Sequence, residues 1–205
     1  PYTTLFRSES LEDSSKWGRY TFLGYNPTLN IVSENGTLRY GDTEIKTEKP
    51  ADYIREILNS YKSPKVEGLP SFTGGLVGYF SYDYFALCEP AARTDAVDTE
   101  NFKELDLMLF DKVIAFDNVC QKIILIANMR LDNIVDGYKK ACDELLEIKK
   151  LLKEGKKIEE TNGKLLSEVT PMFNREEYCT MVRKAKEYIK EGDIFQVVLS
   201  NRFSA

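Results

Sequence analysis

The chain has 205 residues, 42% hydrophobic and 30% charged, with a net charge of −5 at pH 7. That composition fits a soluble globular protein holding one large domain, or one domain and part of another. It argues against nucleic-acid binding, which needs a basic stripe, and no apolar run approaches the ~18 residues that span a bilayer.

The first elements read as short strands. Arg19 to Gly24 is aromatic-rich and ends at the turn Tyr25-Asn26-Pro27. Leu29 to Val32 and Thr37 to Tyr40 flank Asn35-Gly36, a strong hairpin signal. A further strand follows from Thr43 to Thr47, so residues 19–47 are expected to form one antiparallel meander. Pro50 then opens a helix with Tyr53, Ile54, Ile57, Leu58 and Tyr61 on one face. Phe72 to Tyr84 reads as a Gly- and Tyr-rich strand, and the acidic residues 88–104 as a surface loop with a short helix.

Leu105 to Phe116 and Lys122 to Met129 read as two long strands around the turn Asp117-Asn118, suited to the middle of a sheet. Asp132 or Asn133 can cap a helix whose stripe, Val135, Tyr138, Cys142, Leu145 and Leu152, is expected to face the core. Gly155 stops it, and residues 155–170 read as a polar linker. Asn174 with Glu177 forms a capping box for a last helix, with Tyr178, Met181, Val182, Ala185, Tyr188 and Ile189 on one face. Gly192 ends that helix, and Ile194 to Phe203 reads as a strand.

This order gives an α+β fold, large antiparallel sheets flanked by helices. The expected organisation is an N-terminal regulatory or structural domain over residues 1–154, a linker over 155–170 and the start of a further domain over 171–205. The absence of an initiator Met, and a final strand with no partner, lead us to expect a part of a longer reading frame.

Histidine is absent, which removes His-based acid–base chemistry, Ser-His or Cys-His pairs and His metal ligands from these residues. The cysteines at 88, 120, 142 and 179 form no CxxC pair, so a reduced cytoplasmic setting is expected. Gly74, Gly75 and Gly78 sit inside a strand and lack the Walker spacing. They indicate close backbone approach or a bulge rather than a phosphate cradle.

Four segments together resemble the large subunits of anthranilate synthases, in the chorismate-utilising family. Glu9-Ser10 followed by Trp17-Gly18-Arg19-Tyr20-Thr21-Phe22-Leu23-Gly24 resembles the family's Glu-Ser element and its "WGRYSFIG" segment. Gly74 to Asp83 resembles "GGxVGYFxYD", and Leu107 to Asp117 its paired strands. Gly192 to Phe203 resembles "GDIFQVVLSxRF", the longest and most specific of the four. One departure is Leu5-Phe6-Arg7-Ser8, where the family runs into Glu-Ser through an apolar "FLLES".

The resemblance implies an enzyme that adds ammonia to chorismate, removes the 4-hydroxyl and eliminates pyruvate to leave anthranilate. It implies Mg²⁺, a catalytic histidine, a glutamine amidotransferase small subunit as partner, and feedback inhibition by L-tryptophan. The Mg²⁺ ligands are expected outside these residues, and the chain by itself is expected to be inactive.

Within the chain, the resemblance points to Gln196 as the residue of the chorismate site. A glutamine is no useful base, but its amide can orient ammonia by hydrogen bonds. By pattern alone, Gln196 is a polar residue alternating outward on a strand. Glu9, Ser10 and Arg19 are the candidates for the L-tryptophan site, Glu9 and Ser10 as acceptors for the ammonium and Arg19 as a forked donor to the carboxylate. Without the resemblance, these would be a turn cap and a surface ion pair worth ~0–1 kcal/mol. Two rivals are aminodeoxychorismate synthase component I, which adds ammonia at C4, and a non-catalytic amino-acid-binding regulatory domain.

Overall fold

The computed structural model describes residues 5–9, 18–92, 98, 100–155 and 163–205. Ser10, Trp17 and residues 156–162 of the polar segment read as a linker lie outside them. Two compact units are present, residues 1–155 and 156–205.

The first unit holds two antiparallel sheets and two long helices. Strands β1 (Leu5–Ser8), β2 (Tyr20–Tyr25), β3 (Leu29–Glu34), β4 (Thr37–Tyr40) and β5 (Thr43–Lys46) come first. Helix α1 (Pro50–Ser60) and strand β6 (Gly75–Phe80) follow, and then the short helix α2 (Phe85–Cys88). Strands β7 (Leu105–Phe110), β8 (Lys112–Asp117) and β9 (Lys122–Ala127) and helix α3 (Ile134–Glu154) complete the unit. One sheet runs β5-β4-β3-β7-β6 and the other β1-β2-β8-β9.

This corrects two expectations. Only β3, β4 and β5 form the meander, because β2 pairs with β8 in the other sheet. The expected long strand from Leu105 to Phe116 breaks at Asp111, and its halves enter different sheets. The two crossings lie side by side. Thr28, just past Pro27, donates its N–H to the Leu109 carbonyl at 2.7 Å. Asn128 pins the other crossing, donating its backbone N–H to the Asp111 carbonyl at 2.8 Å and its side-chain amide to Thr73 O at 2.7 Å. A proline that cannot donate to a ladder marks where the first strand leaves its sheet.

Alternation along the strands builds the core. Ile31, Leu38, Leu105 and Leu107 are buried on one face of the five-stranded sheet and receive Ile54 and Ile57 from α1. The opposite face pairs its own charges: Arg39 with Glu34 at 3.5 Å and with Glu44 at 3.0 Å, and Lys103 with Asp106 at 2.5 Å. At the β3–β4 turn, buried Ser33 donates to Glu104, which also accepts the Gly36 N–H at 3.1 Å. That turn is therefore tied to the start of β7, where each buried polar group has a partner.

In the second sheet, β1 lies against β2 with Phe6 opposite Gly24. The Phe6 ring occupies the space a Cβ at Gly24 would fill, and it meets Phe110 edge-on at 4.6 Å. Phe22 and Phe72 extend this aromatic cluster, with ring centroids 5.5 Å apart. Residues that depart from the family's apolar run thus fit the sheet through Phe6, which is 8% exposed.

The Gly-rich strand is shorter than expected: β6 covers Gly75–Phe80, and Tyr82–Tyr84 turns into a 3₁₀ helix. A Cβ at Gly78 would meet the backbone of Asp106 and Leu107 on β7, so the close approach read from the glycines is present.

Helix α3 is capped by Asn133, as the sequence predicts, and it packs against β9. Its buried residues are Ala141 and Ile148, not the expected stripe. Val135 and Tyr138 remain 78% and 65% exposed. The buried face is about a quarter turn away from that stripe, given 100° per residue. The small Ala141 permits close approach to the sheet. Lys112 also reaches Glu144 at 3.4 Å from the sheet side.

The second unit contains β10 (Thr170–Pro171), α4 (Arg175–Glu191) and β11 (Phe203–Ser204), with β10 and β11 paired. The capping box at Asn174 and Glu177 forms as expected, and Gly192 ends α4 with φ of 87°. That left-handed conformation favours glycine. The expected strand from Ile194 to Phe203 is reduced to Phe203–Ser204. Strand geometry needs a hydrogen-bonded neighbour, and among the described residues of this unit only Thr170–Pro171 supplies one.

Candidate functional site

The four predicted site residues fall in two places. Arg19 and Glu9 belong to the first unit, at one end of the four-stranded sheet. β1 and β2 pair with Ser8 opposite Phe22, so Glu9 follows β1 at the end where β2 begins. Arg19 immediately precedes β2, and Tyr20 lies opposite Asp117 at the end of β8. Ser10 lies outside the described residues.

Arg19 is engaged by Asp117. Its Nε donates to Oδ1 at 3.1 Å and Oδ2 at 3.2 Å, and its Nη2 donates to Oδ2 at 2.6 Å. The Asp117 carboxylate is 4% exposed and also accepts the backbone N–H groups of Val119 at 3.2 Å and Cys120 at 3.0 Å. Nη2 also lies 3.5 Å from the Cys120 sulfur, and the guanidinium stands 4.9 Å from the centroid of the Tyr20 ring.

The hydrogen bond from Arg19, with those from the turn backbone, holds the Asp117 carboxyl far below the usual carboxylate range. The same pair holds Arg19 above its ordinary value. The arrangement fixes the β8–β9 hairpin turn to the strand entry at Arg19. Asn118 adds a bond from its backbone N–H to the Arg19 carbonyl at 2.8 Å. Glu9 accepts from Arg7 at 2.5 Å, an exposed pair. Glu9 and Arg19 therefore share an end of the sheet, but each carries a partner from within the fold.

Asp117 was singled out in the sequence only as a turn residue. The available signal was the Asp-Asn pair at the head of a hairpin turn, where a short acceptor can cap successive backbone N–H groups. Nothing local in the sequence ties it to Arg19, which lies 98 positions earlier.

Gln196 belongs to the second unit. It is exposed, in the irregular segment that follows Gly192. That segment is held at its far end. The Tyr178 hydroxyl on α4 donates to the Leu199 carbonyl at 3.0 Å. Asn201 accepts the Phe173 N–H at 3.0 Å and donates to the Phe173 carbonyl at 2.9 Å. Phe195 and Val198 in the same stretch are 93% and 80% exposed. Gln196 thus sits between a glycine cap and a side-chain anchor, with its side chain exposed.

Among the described residues, no group of three or more His, Cys, Asp or Glu side chains is placed to hold a metal. No helix among them is long and apolar enough to cross a membrane.

The chain is similar to anthranilate synthase component 1 of Acetivibrio thermocellus, 34% identical over 96% of this chain and 42% of that protein. It is also 34% identical to anthranilate synthase component 1 of Bacillus subtilis, over 95% of this chain and 41% of that protein. The crystal structure of anthranilate synthase component I from Streptococcus pneumoniae TIGR4 superposes with a TM-score of 0.69 at 27% identity. It covers 96% of this chain and 43% of that one. The chain therefore spans less than half the length of the proteins it matches. The family model for chorismate binding enzymes matches residues 8–205, and the chain belongs to that family.

Proposed function

We propose that the protein of which these residues form part is the large subunit of an anthranilate synthase. It would convert chorismate and ammonia to anthranilate and pyruvate, the first committed step toward tryptophan. Ammonia adds at C2, the 4-hydroxyl departs, and pyruvate is eliminated from the ring ether, leaving an aromatic amine. The observation that supports this most directly is the run Gly192-Asp193-Ile194-Phe195-Gln196-Val197-Val198-Leu199-Ser200, within a match that extends over residues 8–205.

In this reading Gln196 holds the incoming ammonia through its amide. Its open position beside the cap of α4 is compatible with that role. Glu9 and Ser10 contribute acceptors for the ammonium of L-tryptophan. Arg19, bound to Asp117, contributes its guanidinium to a ligand carboxylate and otherwise sets the strand entry. The regulatory domain over residues 1–154 would answer that effector, with residues 155–170 as the connection to the catalytic part. A glutamine amidotransferase subunit would supply ammonia, in the cytoplasm. Mg²⁺ would be held by residues outside this chain and would neutralise substrate carboxylates.

The test follows anthranilate fluorescence from the complete reading frame with chorismate, Mg²⁺ and ammonia. Product that disappears on adding L-tryptophan supports both parts of the reading. Gln196→Ala should lower kcat/KM with ammonia about tenfold or more, equivalent to ~1.4 kcal/mol of transition-state stabilisation. An amine appearing at C4 instead would transfer the protein to the folate-pathway sibling. No turnover by the full frame would sink the enzymatic reading.

A further inference from the structure

We propose that Tyr178 is a positioning residue for Gln196, which it acts on through the backbone; this rests on the reading of Gln196 as the residue that orients ammonia. The Tyr178 hydroxyl donates to the Leu199 carbonyl at 3.0 Å. That bond holds residues 193–199 drawn out along α4. The chain turns back at Gly192, whose N–H donates to the Ile189 carbonyl at 3.3 Å, while the Asp193 N–H donates to the Tyr188 carbonyl at 3.0 Å. Tyr178 lies 14 positions before Gly192, about 21 Å along the helix at 1.5 Å per residue. Leu199 lies seven positions after Gly192, and seven residues reach about 23 Å when fully extended. The bond from Tyr178 can therefore close only if the returning chain runs nearly straight.

A second anchor lies two residues further on. The Asn201 side chain accepts the Phe173 N–H at 3.0 Å and donates to the Phe173 carbonyl at 2.9 Å, just before the helix begins. The 17-residue helix is about 26 Å long, against a reach of about 30 Å for the nine residues from Gly192 to Asn201. Packing contributes little to the position of Gln196, since Phe195, Val197 and Val198 around it are 93%, 43% and 80% exposed. Gln196 stands four residues from the glycine cap and three from Leu199. A chain held near its full length has little slack at its middle, whereas one released at an end samples many backbone conformations. An amide that orients a small nucleophile works only within a narrow range of distance and angle. Loss of the Tyr178 hydroxyl should therefore lower the rate of ammonia addition rather than the affinity for chorismate.

Steady-state kinetics of the complete reading frame, with chorismate, Mg²⁺ and ammonia, tests this on Tyr178→Phe, Gln196→Ala and the double variant. Tyr178→Phe keeps the ring and removes one hydroxyl. It should lower kcat with ammonia about fivefold, the share one neutral hydrogen bond can carry, and leave KM for chorismate unchanged. In the Gln196→Ala background the same change should have no further effect, because no amide is left to place. Amide hydrogen exchange, which needs no turnover, should quicken over residues 194–199 in Tyr178→Phe and stay unchanged in the interior of α4. A Gln196→Ala enzyme as fast as the wild type sinks the reading of Gln196 and the proposal with it. A slow Gln196→Ala beside a Tyr178→Phe that is unchanged, or that slows both backgrounds equally, overturns the proposal alone. So does unchanged exchange over residues 194–199.

Discussion

Two stretches with strand-like sequences ended in opposite conditions. Lys112–Asp117 is flanked by β2 and β9, and most of its residues are buried. Ile194 to Phe203 is as rich in apolar and β-branched residues, yet it is largely exposed and pairs only at Phe203–Ser204. The difference lies in their neighbours rather than in their own composition. A strand is stabilised by ladder bonds and cross-strand contacts from elsewhere in the chain, so propensity describes compatibility rather than outcome.

The largest effects should fall in the paired sheets. Leu105→Ala removes a fully buried side chain between sheet and α1, and should lower unfolding free energy by about 2–5 kcal/mol in a urea titration. A loss under ~1 kcal/mol would show that this core is not continuous.

Asp117→Asn should come next, because it leaves Arg19 and two turn N–H groups facing a neutral side chain. Thermal melts at neutral pH should show a clear fall in Tm. The acid limb gives the sign. Native Asp117 titrates below its unfolded value, so its contribution is complete above about pH 4 and vanishes as pH falls through the depressed native value. The wild type should therefore lose stability steeply below about pH 4, and D117N should show a shallower acid slope. Identical slopes would mean that the pair with Arg19 is not formed in solution.

A smaller loss is expected from Asn174→Ala, which removes the cap accepting the N–H groups of Glu176 and Glu177. About 0.5–2 kcal/mol should disappear from the local opening energy of α4, read by amide hydrogen exchange in its first turn. The smallest effect belongs to Phe195→Ala. That ring is 93% exposed, and its loss should stay within about 0.5 kcal/mol in the same titration. A large loss would mean that Phe195 packs against a surface in solution, and the contrast between the two stretches would fail.

The candidate site was legible to different depths. The capping box at Asn174, the cap at Asn133 and the helix-ending Gly192 could be read directly, because each satisfies backbone groups within a few residues. Arg19 could be named as a candidate, but not its partner. Asp117 lies 98 positions away, and no local pattern encodes which guanidinium it meets.

The sequence by itself determined the existence of the helices, the Asn35-Gly36 hairpin, the α+β class and the family, through motifs that are local and specific. Tertiary structure decided that Tyr20–Tyr25 leaves the meander, that Asp111 divides one apolar run between two sheets, and which side of α3 is buried. The physical reason is common to all three. Caps and turns are satisfied by near neighbours in the chain, whereas a strand's sheet and a helix's buried face are fixed by whichever distant surface completes their hydrogen bonds and packing.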